Sequence, residues 1–228
     1  MRSLYKIVLL LGSLFNTADA AAEEVDLQLV LAVDVSSSIN YDEFGLQIRG
    51  YAAAFRNPEV QGAIASGVHK KIAVAMTQWA GLEQQAIVLD WTVIGSENQA
   101  EAFADDIDYL SRAFPYGGTA IAPALTHAFN LFQASPHSAP RRIIDMSGDG
   151  KVSIGGDPKA VRDRIIAAGV VVNGLPILNE TPDLDKYFRE NLVGGVGSFI
   201  QVSQGFTDFA EAITRKMVRE IKAEWYGV

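Results

Sequence analysis

Residues 27–35 (LQLVLAVDV) form a nearly continuous apolar run that closes on an aspartate and a valine. Such a run suits a strand buried on both faces, not one with a single wet face. A doubly buried strand needs a covering layer on each side, and helices are the usual cover. The segments that follow have the periods this requires. Residues 41–57 carry Phe44, Ile48, Tyr51 and Phe55 at helical spacing, and Asn40 with Glu43 fits a capping box at the start. Residues 72–79 and 86–94 are β-branched and aromatic and read as strands. A turn near Gly81 joins them, which makes the pair antiparallel.

Residues 99–114 read as an acidic amphipathic helix and residues 120–132 as a second helix, with Tyr116-Gly117-Gly118-Thr119 breaking between them. Residues 142–146 are a short strand ending at Gly148-Asp149-Gly150. Residues 158–168 are a helix closed by Gly169, and residues 170–175 a further strand. Residues 183–191 predict a short helix and residues 199–202 a last strand. Residues 206–225 predict a long final helix with Phe209, Ile213, Met217 and Ile221 on one face. The expected class is therefore α/β: a doubly wound, mostly parallel six-stranded sheet with one antiparallel edge strand and helices on both faces. No internal repeat and no dividing linker is visible, and residues 178–197 read as a surface excursion.

Composition narrows the function classes. Of 228 residues none is cysteine, which removes disulfide frameworks, thiolate metal sites and thiol nucleophiles together. Three scattered histidines, His69, His127 and His137, do not suggest an imidazole-built metal site. The net charge is −8 with no basic block, which argues against nucleic acid as a partner. Residues 1–20 (MRSLYKIVLLLGSLFNTADA) read as a signal peptide: Arg2 and Lys6 form a basic start, residues 7–15 an apolar stretch, and Ala18-Asp19-Ala20 a cleavage site. Cleavage after Ala20 or after Ala22 fits. The mature chain, residues 21–228, is expected to be one domain, exported to the periplasm or secreted, with no transmembrane segment.

The chemistry concentrates in Asp34-Val35-Ser36-Ser37-Ser38, at the C-terminal end of the first buried strand. In an extended chain residues 34, 36 and 38 point the same way, so one carboxylate and two hydroxyls converge. Ligands of open α/β sheets bind at that edge.

Asp-x-Ser-x-Ser after a first apolar strand resembles the metal-ion-dependent adhesion site of von Willebrand factor A (VWA) domains. The resemblance extends over about residues 25–225 and implies a Rossmann-like VWA fold. It also implies that Thr119, in Gly117-Gly118-Thr119, and Asp149, in Ser147-Gly148-Asp149-Gly150, complete the site. The implied ligand set is Asp34, Ser36, Ser38, Thr119 and Asp149, the implied ion Mg²⁺ or Mn²⁺, and the implied partner a protein offering a Glu or Asp to the metal. The chain departs from the family pattern at Gly148, where a Thr is usual, and at Asp145, where the strand is normally apolar. The chain looks like a branch of exported bacterial VWA proteins.

The donor set is chemically coherent. Mg²⁺ takes six oxygens in a tight octahedron near ~2.1 Å and keeps water readily. Two carboxylates balance its charge, and three hydroxyls add ligands without adding charge, so the ion stays able to accept one more acidic oxygen. Competing motifs are incomplete. Asp145-x-Ser147-x-Asp149-Gly150 imitates the front of an EF-hand loop, but its twelfth position is Gly156. Gly150-Lys151 is not a phosphate loop, and Ser147 is not a nucleophile elbow. The reading is a non-enzymatic exported binding module, with two alternatives: a hydrolase using the same ion, or an envelope protein stapled by it. Asp145, four residues before Asp149, is expected to be buried, hydrogen-bonded and structural rather than a ligand. Arg141, Arg142, hydroxyls or backbone N–H groups are its candidate partners.

Overall fold

A computed structural model describes residues 22–222; the expected leader and residues 223–225 of the expected last helix lie outside the described residues. The central strand, β1 (Leu27–Asp34), is buried along its whole length. β2 (Ile72–Trp79) and β4 (Arg142–Gly148) flank it, both parallel. β3 (Gln85–Ile94) runs antiparallel on the outer side of β2, and β5 (Val171–Pro176) runs parallel on the outer side of β4. The order is β3-β2-β1-β4-β5. From β1 the chain fills one half of the sheet through β2 and β3, then crosses back to fill the other half with β4 and β5. The switch point therefore lies between β1 and β4, where an open α/β sheet leaves a crevice at its carboxyl edge.

Alternation along β1 splits the interior in two. Leu27, Leu29, Leu31 and Val33 pack under α1 (Tyr41–Arg56), α2 (Pro58–Ala65), α3 (Glu97–Asp108) and α7 (Phe209–Lys222). Val30 and Ala32 pack under α4 (Ile121–Ala134), α5 (Lys159–Ala167) and α6 (Leu184–Asn191). The expected capping box at Asn40 and Glu43 is formed in both directions. α2 was not expected; it begins where Asn57 caps the Glu59 amide and Pro58 takes the first helical position.

Three expectations change at their edges. The sheet has five strands, not six: around residues 199–202 only single bridges form, Gly174 with Ile200 and Ile177 with Ser203. β5 already pairs at Val172 with Gly194, so the returning segment touches it at points and builds no ladder. α3 ends at Asp108, six residues short of the expected end, and residues 109–120 form an irregular connection. The final helix is preceded by a 3-10 turn, Phe206–Asp208.

At the sheet edge opposite the switch point, the Val25 amide donates to the Ser138 carbonyl and Lys71 pairs with Glu23. At that same edge Arg141 donates to the carbonyls of Glu220 and Ile221, near the end of α7. Among the described residues no helix is long and apolar enough to cross a membrane.

Candidate functional site

The crevice at the switch point gathers the expected side chains. Val33 pairs with Ser147 in the β1–β4 ladder, so Asp34 and Asp149 leave adjacent strands at the same edge. Asp34, Ser36 and Asp149 are almost wholly buried, at 0%, 1% and 1% exposure, and Ser38 is half-buried. The Ser38 hydroxyl donates to Asp149 Oδ1 at 2.7 Å, and the Ser36 and Ser38 hydroxyls lie 3.2 Å apart. The Ser36 amide donates to Asp34 Oδ1 at 2.7 Å. Thr119 arrives on the connection between α3 and α4. The Ser37 amide donates to the Gly117 carbonyl at 2.9 Å, and the Gly117 amide donates to the Ser37 hydroxyl at 2.9 Å. A Cβ on Gly150 would stand 3.4 Å from Thr119 Oγ1, so that hydroxyl lies beside the Asp149 loop. The cap of α4 is Ala120, with no side-chain cap bond, and the Thr119 hydroxyl is not spent on the helix.

Two carboxylates thus meet where no basic side chain among the described residues reaches them. Burial first, and the charge of Asp149 second, push the Asp34 carboxyl up to about 8, against the opposing donation from Ser36. Burial also raises Asp149, helped by the charges of Glu180 and Glu43 and opposed by the Ser38 hydroxyl. Asp34 Oδ2 and Asp149 Oδ2 are buried without any hydrogen-bond partner. Unmatched carboxylate oxygens of this kind are costly in a protein interior. Gly148 accommodates the arrangement: a Cβ there would stand 2.9 Å from Asp34 Oδ2. Among the described residues no group of three or more His, Cys, Asp or Glu could hold a metal, so any cation here relies on hydroxyls as well as on the two acids.

Asp145 stands apart from this cluster. It is fully buried, as expected, but neither arginine reaches it: Arg141 serves the end of α7, and Arg142 donates to the Ala168 carbonyl. Its partner is Lys216 of α7, whose ammonium lies 2.6 Å from Asp145 Oδ1 as an ion pair without hydrogen-bond alignment. Lys216 also donates to Glu220 at 2.5 Å, and Asn173 of β5 donates to the same Glu220 oxygen at 2.9 Å. Asp145 therefore does not converge with Asp149, as a calcium loop would require.

Three residues that the motif does not contain hold the Asp34–Ser38 loop. Gln47 of α1 donates to the Asp34 carbonyl at 3.2 Å. The Arg112 guanidinium donates to the carbonyls of Ile39 (2.5 Å), Val35 (2.8 Å), Ser36 (2.9 Å) and Phe114 (2.8 Å). The buried Gln78 side chain fixes the backbone on both sides of Arg112, donating to the Ser111 carbonyl and accepting from the Ala113 amide. The early end of α3 is what frees Arg112 for this task. Apart from the expected helix end, its sequence signal is faint: one arginine in an otherwise acidic segment.

A five-stranded sheet of this order, with an Asp-x-Ser-x-Ser loop at its switch point, has the VWA fold. Solved structures agree on the fold. The chain superposes on proximal thread matrix protein 1 (PTMP1) of the mussel byssus with a TM-score of 0.63 at 17% identity, over 89% of this chain and 50% of that one. It superposes on the von Willebrand factor type A protein of Catenulispora acidiphila with a TM-score of 0.61 at 16% identity, over 86% of this chain and 43% of that one. The vWF domain of the type V pili tip protein Mfa5 of Porphyromonas gingivalis gives 0.61 at 9% identity, over 90% of this chain and 97% of that one. The chain thus spans about half of the PTMP1 chain and less of the Catenulispora protein. Another structure of PTMP1 is described as having a zinc-occupied MIDAS motif. Among curated proteins none matches significantly. By sequence the chain belongs to the family described as "Protein of unknown function (DUF1194)", whose model matches residues 24–225.

Proposed function

We propose that this protein is an exported binding module that holds a divalent cation, Mg²⁺ or Mn²⁺, on Asp34, Ser36, Ser38, Thr119 and Asp149 and uses it to capture an acidic group of a protein partner. The observation that carries this reading is the pair of buried, partnerless carboxylate oxygens, Asp34 Oδ2 and Asp149 Oδ2, beside three hydroxyls. The set fits a hard cation: two charges to neutralise it and neutral oxygens for the rest, with room for water or an incoming carboxylate. The zinc-occupied motif of PTMP1 and the pilus-tip origin of the Mfa5 domain support a metal-dependent adhesive role. Residues 1–20 serve as the export signal and residues 21–228 as one VWA-like domain, periplasmic or secreted. No residue is assigned a catalytic role.

Capture from envelope extract tests the reading, using wild type and Asp34→Ala, each with Mg²⁺ and with chelator. A partner retained only by wild type in Mg²⁺ supports it. Turnover of ester or phosphate substrates would replace it with a hydrolase, and metal-dependent stabilisation without capture would replace it with a metal-stapled structural protein.

A further inference from the structure

The Asp34–Ser38 loop has donors assigned to its carbonyls as well as to its side chains. The carbonyl of residue 34 is taken by Gln47, and those of 35, 36 and 39 by Arg112. Arg112 binds no carboxylate in this arrangement; the four oxygens it meets are all backbone. A guanidinium presents its N–H groups in a rigid planar fork, so three separated carbonyls of one loop can be held in a fixed relation. The fork is itself anchored, because the buried Gln78 amide fixes the residues on either side of it. It also spans two of the segments that meet at the crevice, since Phe114 lies on the strand of chain leading to Thr119. Tyr41 lies across the guanidinium, 5.3 Å from ring centroid to Cζ, and closes its outer side.

We infer that Arg112 is a positioning and ion-selecting residue: by occupying the carbonyls of Val35, Ser36 and Ile39 it leaves the cation a site dominated by carboxylates and hydroxyls, which favours Mg²⁺ or Mn²⁺ over Ca²⁺. The chemistry follows from ligand number. Ca²⁺ takes six to eight oxygens in a pliable shell and draws readily on backbone carbonyls, whereas Mg²⁺ takes six and retains water. The carbonyls of residues 34, 35, 36 and 39, already committed to these donors, are not free to turn to a larger ion. Lysine cannot replace Arg112, because a single ammonium on a flexible stem does not reach three carbonyls in fixed geometry. The inference rests on the metal reading above and adds to it a residue outside the ligand set.

The test uses Arg112→Gln and Arg112→Lys in the full mature chain. Mn²⁺ affinity is read from the electron-spin signal of the free ion, Ca²⁺ by competition, and amide hydrogen exchange is followed without metal. Outer-shell partners typically contribute about 10- to 100-fold in metal affinity. We expect Mn²⁺ binding at least about 10-fold weaker in both variants, Ca²⁺ binding weakened less, and hence a smaller Mn²⁺-to-Ca²⁺ preference. In the metal-free protein the Ser37 and Ile39 amides should exchange faster, with the amides of β1 unchanged. Equal loss for both ions would reduce Arg112 to a structural brace and overturn the selection. A lysine variant that behaves as wild type would replace the fork by simple charge and overturn the positioning. If wild type bound neither ion, the metal reading itself would fall; unchanged binding in the variants, with wild type binding normally, would sink this inference alone.

Discussion

Two pairs of buried carboxylates sit in the same β1–β4 half of this molecule, and they are handled in opposite ways. Asp145 and Glu220, deep between β4 and α7, enclose an ammonium that the chain supplies, Lys216. Asp34 and Asp149, at the crevice, face no basic side chain among the described residues; partnerless oxygens occur in both pairs, so the internal ammonium is the difference. The first pair makes a closed structural joint. In the function proposed above, the second takes its counter-charge from outside as a bound cation. Burial is nearly the same for both pairs; the internal cation is what distinguishes them.

The contrast is broken most severely by removing that cation. Lys216→Met should leave two acids buried without a base and cost roughly 3–5 kcal/mol, the usual price of halving a buried ion pair. Urea unfolding measures it, and a loss below about 1 kcal/mol would show that the interior pair does not depend on Lys216. At the crevice the sign reverses. Asp34→Asn removes a buried carboxyl whose charged form burial and Asp149 both disfavour, so the metal-free protein should melt no lower than wild type. The variant should also lose the stabilisation by Mg²⁺, worth about 2.7 kcal/mol at a hundred-fold excess over Kd. Differential scanning with and without Mg²⁺ separates the two effects, and an equal Mg²⁺-induced shift in Asp34→Asn and wild type would remove Asp34 from the site.

A smaller effect lies in the pH dependence of the interior pair. Burial first, and the charge of Asp145 second, push Glu220 up to about 8 from 4.5, against the opposing Lys216. The folded state therefore keeps a proton that the unfolded chain releases. The contribution is fully present below pH 4.5, declines as pH rises toward about 8, and is flat above, with a slope of no more than about 1.4 kcal/mol per pH unit. Glu220→Gln in an Asp34→Asn background should flatten that slope; an unaltered slope would place the proton elsewhere. The smallest change expected is at Gly148→Ala, whose methyl would press on Asp34 Oδ2. Mg²⁺ affinity should fall by a few-fold, about 1 kcal/mol, as overpacking typically costs, and titration calorimetry reads it.

Much of the architecture was legible because period and punctuation agree. The run from Leu27 to Val33, the Asn40–Glu43 box and the Gly81 turn each specify one structure by local physics, and each formed. The Asp34–Ser38 loop was legible for the same reason, since a two-residue period at a strand end aims alternate side chains together. Other features depend on partners distant in sequence. Residues 199–202 have strand composition, but β5 meets Gly194 as well, and ladder pairing is a tertiary outcome. α2 carried a readable start, Asn57 before Pro58, but only eight residues of weak pattern. Lys216 and Glu220 stand on the same face as Phe209, Ile213 and Met217, where two polar residues interrupt an apolar stripe. That interruption was a signal, but only Asp145, 71 positions away in the chain, explains it. Arg112 was hidden more fully, because its partners are carbonyls and every residue has one.

The placement of the chain's two described ends has a consequence for presentation. Glu23, Val25 and the final turn of α7 gather at the edge where β1, β2 and β4 begin. The crevice opens where β1 and β4 finish, and the eight residues of β1 separate the two poles by roughly 26 Å. A tether, a neighbouring module or a solid support fixed at Glu23 or at the last described turn of α7 would hold the molecule by that edge, with the carboxylate pair at the opposite one. Attachment at that edge should therefore leave the proposed capture intact, and the molecule has the polarity of a fingertip rather than of a hinge.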